Sequence, residues 1–138
     1  MQNNRVEVHT DGGSRGNPGN AACAFVAEKQ NIELFKLSKY LGKTTNNVAE
    51  YSATILALEW LLQNNYADEE IVFYSDSELM VKQINGQYKV RDEKILTLYS
   101  KVFKLFKMFN KQPKFIHVRR GMNKIADQLV NDELDANS

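Results

Sequence analysis

The sequence lacks the features that mark secreted, membrane-embedded or disulfide-rich proteins. It contains one cysteine, Cys23, so no disulfide can form within the chain. No apolar run approaches the roughly 20 residues that a transmembrane helix needs. The first residues also lack the charged start and apolar stretch of a secretory signal. We therefore expect a cytoplasmic protein that does not bind a membrane.

A strong charge of either sign is also absent. Lys and Arg number 18 and Asp and Glu number 17, which gives a net charge of +1. Any basic surface for a polyanion must therefore be local. The 138 residues, 43% of them hydrophobic, are enough for one packed core and too few for two ordinary domains. We expect a single domain over residues 1–138, with loose ends at residues 1–4 and 136–138.

Alternating and turn-forming residues predict three strands in the first part of the chain. Val6, Val8 and Thr10 alternate with polar residues, which is the period of a strand. This strand is expected to end at Asp11, because the residues from 12 to 19 are rich in Gly, Asn and Pro and predict a turn. The next two strands are expected over residues 22–27 and 32–37.

Helical and strand patterns then alternate. Apolar residues recur at helical spacing over residues 47–64, where Asn47 stands three residues before Glu50 as in a capping box. The remaining predicted elements are a buried strand at residues 71–74, a helix from about Ser77 to Asn85, a long amphipathic stripe over residues 95–109, a strand at residues 115–118 and a final helix capped by Asn123. This order predicts a mixed α/β sheet covered by crossover helices.

The carboxylates fall where such a sheet would collect them. The strand at residues 71–74 is expected to pair in parallel with the first strand, since each leads into an aspartate, Asp11 or Asp76. Neighbouring strands lie ~4.8 Å apart, so these like charges repel unless a cation or a proton lies between them. Glu50 and Asp127 can complete a ring of oxygen ligands. Such a ring suits Mg²⁺ or Mn²⁺, whereas the cysteine and imidazole ligands of a zinc site are not available.

Each of these carboxylates has a structural alternative. Asp11, which precedes two glycines, could be a turn residue. Glu50 could be only the partner of Asn47 in a capping box. Asp76, between two serines, could be a negative charge stabilised by a helix N-terminus. Asp127 taken alone indicates nothing. The joint occurrence of the four favours a chemical role.

Four segments of the sequence occur in a characteristic order. They are residues 10–19 (TDGGSRGNPG), 44–50 (TTNNVAE), 75–77 (SDS) and 123–127 (NKIAD). Together they resemble the ribonuclease H family, type I, over residues 5–131. The resemblance implies an α/β fold of the ribonuclease H type, βββαβα(α)βα, with a five-stranded mixed sheet in the order 3-2-1-4-5 flanked by helices.

The same resemblance implies the chemistry. Asp11, Glu50, Asp76 and Asp127 would be the catalytic and metal-binding set, holding two Mg²⁺ ions, with Mn²⁺ as a substitute. The reaction would be endonucleolytic hydrolysis of the RNA strand of an RNA/DNA hybrid, giving 5′-phosphate and 3′-hydroxyl ends. No small-molecule cofactor is implied, and the expected state is a monomer.

Family resemblance also implies substrate contacts. Asn17, Asn46 and Asn47, together with nearby groups, would contact the minor groove, where 2′-hydroxyls distinguish RNA from DNA; turn and cap roles are the alternative. The nearby groups expected to bind substrate are Gly12, Gly13, Ser14 and Arg15. Thr45, with Lys43 near it, resembles a pocket for a phosphate of the DNA strand. Lys43 as an ordinary solvated lysine is the alternative.

The chain departs from the family pattern in two places. Relatives commonly carry a histidine in a flexible loop before the last aspartate, and this chain has no such loop. Turnover is therefore expected to be slower, or Arg119 or Arg120 assists; His9 and His117 are expected to be structural. The short segment between residues 85 and 93 has no room for the extra basic helix of many relatives. Phosphate contacts would then fall to Lys89, Arg91 and Lys94, and Asp92 stands near a position where relatives often have asparagine.

Two other functions remain open from the sequence. A non-catalytic nucleic-acid-binding module on the same fold is one, although clustered negative charge without metal gives a phosphate-binding surface no advantage. A DNA-directed nuclease of the superfamily, such as a junction resolvase or an integrase-like enzyme, is the other. Such enzymes share the acidic cluster but usually lack the Asn-Pro-Gly turn and the Thr-Thr-Asn-Asn helix entry.

Overall fold

The computed structural model describes residues 4–138, which form one sheet with helices on both faces. The first three strands precede the first helix, after which helices and strands alternate. In chain order the elements are β1 (Val6–Gly16), β2 (Gly19–Lys29), β3 (Ile32–Thr44), α1 (Asn46–Gln63), β4 (Ile71–Ser75), α2 (Glu78–Ile84), α3 (Glu93–Phe106), β5 (Lys114–His117), a 3₁₀ turn (Arg120–Met122) and α4 (Lys124–Ala136).

The sheet has the predicted strand order. Its five strands lie in the order β3-β2-β1-β4-β5. β2 is antiparallel to β1 and β3, and β4 is parallel to β1 and β5. Parallel neighbours cannot be joined by a tight turn, so α1 crosses from β3 to β4, and α2 and α3 lie between β4 and β5. The α/β fold class, the mixed sheet and the parallel pairing of β1 with β4 are confirmed.

The first hairpin is longer than predicted, and the prediction that strand one ends at Asp11 was wrong. β1 continues to Gly16, and residues Asp11 to Gly16 pair with Ala24 to Gly19 of β2. Only Asn17 and Pro18 remain as the turn. The glycines predict a turn, but their backbone groups are satisfied by the ladder to β2, and that pairing outweighs their weak strand propensity. β3 likewise extends to Thr44 rather than ending near residue 37.

The two faces of the sheet are covered differently. Val6 and Val8 of β1 lie fully buried against Tyr51 and Leu58 of α1, in a cluster that also includes α3. The opposite face packs against α4 through Ala22 and Ala24 of β2, with Val130 and Leu134 above them. Because alanine side chains are short, α4 can approach the sheet closely there. The strand alternation therefore turns Asp11 toward the α4 face.

The N-terminus of α1 differs from the prediction. The helix begins at Asn46, and its N-cap is Thr45, whose Oγ1 accepts from the Val48 amide at 3.3 Å. The prediction that Asn47 caps this helix with Glu50 in the first turn was therefore wrong. Thr45 fixes the helix start two residues earlier than Asn47 would, which moves Glu50 into the second turn, where its side chain is buried. The capping-box alternative for Glu50 is thereby removed.

The other helix starts follow the sequence more closely. Ser77 caps α2 as predicted, with Oγ accepting from the Met80 amide at 3.2 Å. Asp92 caps α3 by accepting from the Ile95 amide at 3.0 Å. Asn123 occupies the N-cap position of α4, but its side chain makes no cap hydrogen bond, so the predicted capping role was wrong. Its side chain points to β1 instead.

Ala136 is the last residue of α4, and Asn137 Nδ2 donates to the Glu133 carbonyl at 2.8 Å. Of the end predicted to be loose at residues 1–4, residues 1–3 lie outside the described residues. None of the helices described for residues 4–138 has the length and apolar character required to cross a membrane.

Candidate active site

The parallel ladder between β1 and β4 brings two aspartates together. Its last pair is Thr10 with Ser75. Along the chain, Asp11 directly follows Thr10 and Asp76 directly follows Ser75. Beyond this pair β1 continues alongside β2, whereas β4 leaves the sheet for the N-terminus of α2. The two carboxylates therefore lie at the point where the β1–β4 pairing ends, as the parallel pairing predicted.

Glu50 reaches the same point from α1. Gly12 makes this approach possible, because a Cβ at Gly12 would clash with the backbone of Ala49. One ligand oxygen from each of Asp11, Glu50 and Asp76 lies within 4.8 Å of the other two. The Gly12 backbone amide lies close enough to the Asp11 and Glu50 carboxylates to oppose the rise in their pKa values. The helix backbone thus rests directly on the strand that carries Asp11.

Asp127 joins the group from α4. It lies in the first turn of that helix and lines a cleft of about 310 Å³ together with Asp11 and Glu50. Its carboxyl group lies within hydrogen-bonding reach of Asp11. The four predicted carboxylates therefore converge, with Asp11, Glu50 and Asp76 in the tightest group and Asp127 beside Asp11.

Burial and like charge change the acidity of the cluster. Burial, followed by repulsion from Asp76 and Asp127, raises the pKa of Asp11 from 3.8 to about 8. Burial and repulsion from Asp11 raise the pKa of Glu50 well above its usual value, although the guanidinium of Arg120 opposes this shift. The charged form of both groups is therefore costly unless a cation compensates it.

Two buried carboxylate oxygens lack hydrogen-bond donors. Within residues 4–138, neither Glu50 Oε1 nor Asp76 Oδ2 has a hydrogen-bond partner. The nearest cationic group to Asp76 Oδ2 is Arg120 Nε, at 3.6 Å, and the Arg120 side chain is 80% exposed. Buried oxygens without donors are costly. Hard oxygen ligands in this arrangement fit a divalent cation such as Mg²⁺ or Mn²⁺.

Ser14, Asn17 and Asn46, predicted to bind substrate, form a network at the rim of the cleft. Asn46 Oδ1 accepts from the Ser14 amide at 2.8 Å and from Ser14 Oγ at 3.2 Å. The Asn46 amide donates to Asn17 Oδ1 at 3.0 Å. These bonds tie the β1–β2 hairpin to the first residue of α1. Asn17 therefore has the turn role, whereas the cap of α1 is Thr45 and not Asn46 or Asn47.

The remaining predicted substrate residues are placed less uniformly. Gly13 lines the cleft. Arg15 also lines it, but its guanidinium pairs with Asp135 of α4 at 2.7 Å. Lys43 is exposed near the end of β3, two residues before Thr45, whose hydroxyl caps α1. Asn47 is half-buried in the first turn of α1.

Sequence reasoning missed two asparagines near Asp127. Asn131 Nδ2 donates to the Asp127 carbonyl at 3.1 Å and lies 3.5 Å from Asp127 Oδ2. Its i+4 spacing from Asp127 was the signal that could have found it. Asn123 is 1% exposed and donates from Nδ2 to the Thr10 carbonyl at 2.7 Å. No local signal indicates this contact, since Thr10 lies 113 residues earlier.

The departures noted in the sequence are visible in the structure. His9 is half-buried in β1, and His117 is exposed at the end of β5. Only residues 85–92 separate α2 from α3, so no additional helix lies there. In that segment Tyr88 lies under the ammonium of Lys82, 5.0 Å from the ring centre.

Comparisons with known proteins agree with this arrangement. A family model described as reverse transcriptase-like matches residues 9–133. A bifunctional protein of Mycobacterium tuberculosis is 35% identical over 135 residues, covering 96% of this chain and 36% of the relative. Ribonuclease HI of Halobacterium salinarum is 35% identical over 132 residues, covering 95% of this chain and 65% of the relative. The chain thus spans about a third of the mycobacterial protein.

A solved structure matches over nearly its whole length. LC11-RNase H1, isolated from compost by a metagenomic approach and crystallised in complex with an RNA/DNA hybrid, superposes with a TM-score of 0.92. It is 38% identical, and the match covers 96% of this chain and 99% of that chain. On the matched motifs, the fold and this similarity, the chain belongs to the ribonuclease H family, type I.

Proposed function

We propose that this chain is a metal-dependent endoribonuclease that hydrolyses the RNA strand of RNA/DNA hybrids. The observation that carries the proposal is the convergence of Asp11, Glu50 and Asp76, with one oxygen of each within 4.8 Å of the others. The similarity to LC11-RNase H1, which was crystallised with an RNA/DNA hybrid, supports the choice of substrate. The chain acts in this proposal as a single domain and as a monomer.

The residues that would hold the metal are Asp11, Glu50, Asp76 and Asp127. Two Mg²⁺ ions bound there would activate a water and stabilise the leaving oxygen of an in-line displacement. The chain's own contribution is to hold four carboxylates together against their mutual repulsion on four separate elements. Because water is the attacking group, no covalent bond to the protein is required. The products of this proposal carry 5′-phosphate and 3′-hydroxyl ends.

Selectivity for RNA would come from the rim of the cleft. Ser14, Asn17 and Asn46 combine backbone and side-chain groups that can bond the 2′-hydroxyls of the minor groove. Because Gly12 and Gly13 have no side chains, the part of β1 that carries them would leave room for the substrate. Asn47 would join these contacts to the minor groove, and Thr45, with Lys43 near it, would meet a phosphate of the DNA strand. Arg15 would reach the substrate from a position where Asp135 now orients it.

Two competing functions make different predictions. A non-catalytic binding module would gain nothing from a buried carboxylate cluster, since phosphates are repelled by it. A DNA-directed nuclease could use the same carboxylates, but it would not need a rim suited to 2′-hydroxyls. The rim network of Ser14, Asn17 and Asn46 therefore favours the hybrid as substrate.

One assay separates these functions. Labelled RNA/DNA hybrid, duplex RNA, duplex DNA and a four-way DNA junction are incubated with Mg²⁺, with Mn²⁺ or with a chelator. We expect metal-dependent internal cleavage of the RNA strand of the hybrid, with 5′-phosphate ends that can be mapped on the fragments. Cleavage of the DNA substrates alone would identify a DNA-directed nuclease. Binding of the hybrid without cleavage under any metal would identify a binding module.

A further inference from the structure

Asn123 makes hydrogen bonds that a helix cap does not make. Its side chain is 1% exposed and lies between α4 and β1. Nδ2 donates to the Thr10 carbonyl at 2.7 Å, and Oδ1 lies 3.0 Å from His9 Nδ1. A buried amide whose two ends are both engaged holds the two elements in one relative position.

These bonds connect two of the carboxylates. Thr10 is the residue before Asp11 on β1. The Asn123 carbonyl accepts from the Asp127 amide at 3.1 Å, in the first turn of α4. One residue is therefore bonded on one side to the backbone that carries Asp11 and on the other to the backbone of Asp127.

The Thr10 carbonyl and His9 together fix the orientation of the Asn123 amide. The Thr10 carbonyl can only accept, so Nδ2 must face it, and Oδ1 must then face the N–H on His9 Nδ1. The His9 ring is itself held in place, because it stacks on Tyr74 with ring centres 4.9 Å apart. If the Asn123 amide were reversed, its Nδ2 group would face the N–H on His9 Nδ1, and two donors would meet.

We propose that Asn123, with its amide oriented by His9, is a positioning residue that sets the separation of Asp127 from Asp11 and thereby controls cation binding by that pair. Neither Asn123 nor His9 lines the cleft that holds the carboxylates, so neither side chain touches the reacting atoms. The consequence for catalysis rests on the proposed function. The consequence for cation binding does not.

The test compares three variants with a matched control. Asn123→Ala removes both hydrogen bonds. His9→Phe keeps a ring that can stack on Tyr74 but has no N–H, and His9→Gln loses the ring but can still donate to Asn123 Oδ1. The control is Asn85→Ala, because Asn85 Nδ2 also ties a helix end to a strand carbonyl, that of Phe115 at 3.2 Å, away from the cleft. Thermal melting identifies the temperature at which every variant is folded.

Mn²⁺ titration of the protein alone, by calorimetry, is the first measurement. We expect Asn123→Ala to weaken Mn²⁺ binding about tenfold, as loss of a group that orients a metal ligand does. His9→Phe should weaken binding more than His9→Gln, and the control should bind as the wild type. A packing role would give the opposite order, since phenylalanine preserves the stacking and glutamine does not. That order, or wild-type Mn²⁺ affinity in folded Asn123→Ala, would overturn the proposal.

Hybrid cleavage is the second measurement. We expect kcat at fixed Mg²⁺ to fall about tenfold or more in Asn123→Ala, with KM for the hybrid within about twofold, because the rim residues are not moved. A raised KM with unchanged kcat would overturn the positioning role. If Asn123→Ala does not fold, the order of His9→Phe and His9→Gln decides. If the wild type cleaves no hybrid, the proposed function fails, and the Mn²⁺ titration still decides this inference.

Discussion

Asp11 and Asp76 are neighbours because each directly follows the last residue of the parallel pairing between β1 and β4, where Thr10 lies opposite Ser75. Their approach does not result from a flexible loop. It is imposed by strand register, which cannot change without turning the side chains of a strand to the other face. The sheet therefore holds two like charges together before any cation binds.

Replacing either aspartate with asparagine should remove activity while preserving the fold. Each substitution keeps the side-chain volume and removes one charged ligand. Losing about 3 kcal/mol of transition-state stabilisation lowers a rate more than about a hundredfold. We expect at least that loss of hybrid cleavage in Asp11→Asn and in Asp76→Asn, with an unchanged far-ultraviolet circular dichroism spectrum. Asp132→Asn, on the exposed surface of α4, is the control and should cleave normally. Near-normal activity in Asp11→Asn would contradict the assignment.

The raised pKa values predict how stability depends on pH in the absence of metal. The pKa of Asp11 rises from 3.8 to about 8, and that of Glu50 also rises. The folded protein therefore binds protons that the unfolded chain has released. This contribution to the free energy of unfolding is fully present below about pH 4 and is lost as pH rises through about 8.

Thermal melts between pH 5.5 and 9 in chelator should show this loss. Asp11→Asn should be more stable than the wild type by a few degrees at pH 9, with a smaller difference at pH 5.5. Mg²⁺ should stabilise the wild type more at high pH, because it replaces the protons. A difference between the two proteins that shrinks with rising pH would contradict the assignment of these pKa values.

Two adjacent glycines should differ sharply in their tolerance of a methyl group. A Cβ at Gly12 would overlap the backbone of Ala49 in α1, and backbone cannot move aside without displacing Glu50. A Cβ at Gly13 would meet Val130 Cγ1 at 3.8 Å, an ordinary contact. Gly12→Ala should therefore cost about 3 kcal/mol or more of stability, as overpacking does, or fail to fold. Gly13→Ala should change stability by less than about 1 kcal/mol. Chemical denaturation of the two variants gives both values, and equal costs would show that α1 does not rest on Gly12.

The sequence predicted the part of the site that depends on local patterns. Two local patterns were sufficient to predict that Asp11 and Asp76 lie together. They are the alternation of Val6, Val8 and Thr10 and the aspartate that follows each of two strands. The start of α1 was mispredicted, because Thr45, Asn46 and Asn47 are all good caps and only the contacts of Asn46 with the β1–β2 hairpin distinguish them. The metal-binding interpretation of Glu50 did not depend on that start.

Long-range contacts were beyond local patterns. The extension of β1 past Asp11 depends on pairing with β2, which outweighs the turn preference of its glycines. The side chain of Asn123 was expected to cap its own helix, whereas it bonds a carbonyl 113 residues away. A buried polar side chain is satisfied by whichever partner the packing brings near, and the sequence does not name that partner.

Arg120 should weaken cation binding and assist substrate binding, and Arg119 provides the control. Arg120 Nε lies 3.6 Å from Asp76 Oδ2, so its positive charge opposes a cation at the cluster. Because the side chain of Arg120 is 80% exposed, its charge weakens cation binding by about 1 kcal/mol or less, which is up to about fivefold in affinity. Removing the guanidinium also strengthens proton binding by Glu50, and protons compete with the metal. Because a divalent cation carries twice the charge of a proton, the same change favours its binding by about twice as much free energy. Arg120→Ala should therefore bind Mn²⁺ up to about fivefold more tightly in calorimetry.

The same guanidinium lines the cleft, where it can meet a phosphate of the hybrid. Arg120→Ala should therefore raise KM for the hybrid a few-fold, and the increase should diminish at high salt, because exposed charges are screened. Arg119→Ala should change neither quantity, since Arg119 is exposed and does not line the cleft. Weaker Mn²⁺ binding in Arg120→Ala would show that this arginine supports the carboxylate cluster instead of competing for it. Within residues 4–138, Asp76 is the carboxylate that pairs with Arg120, so a structural support would have to act through Asp76.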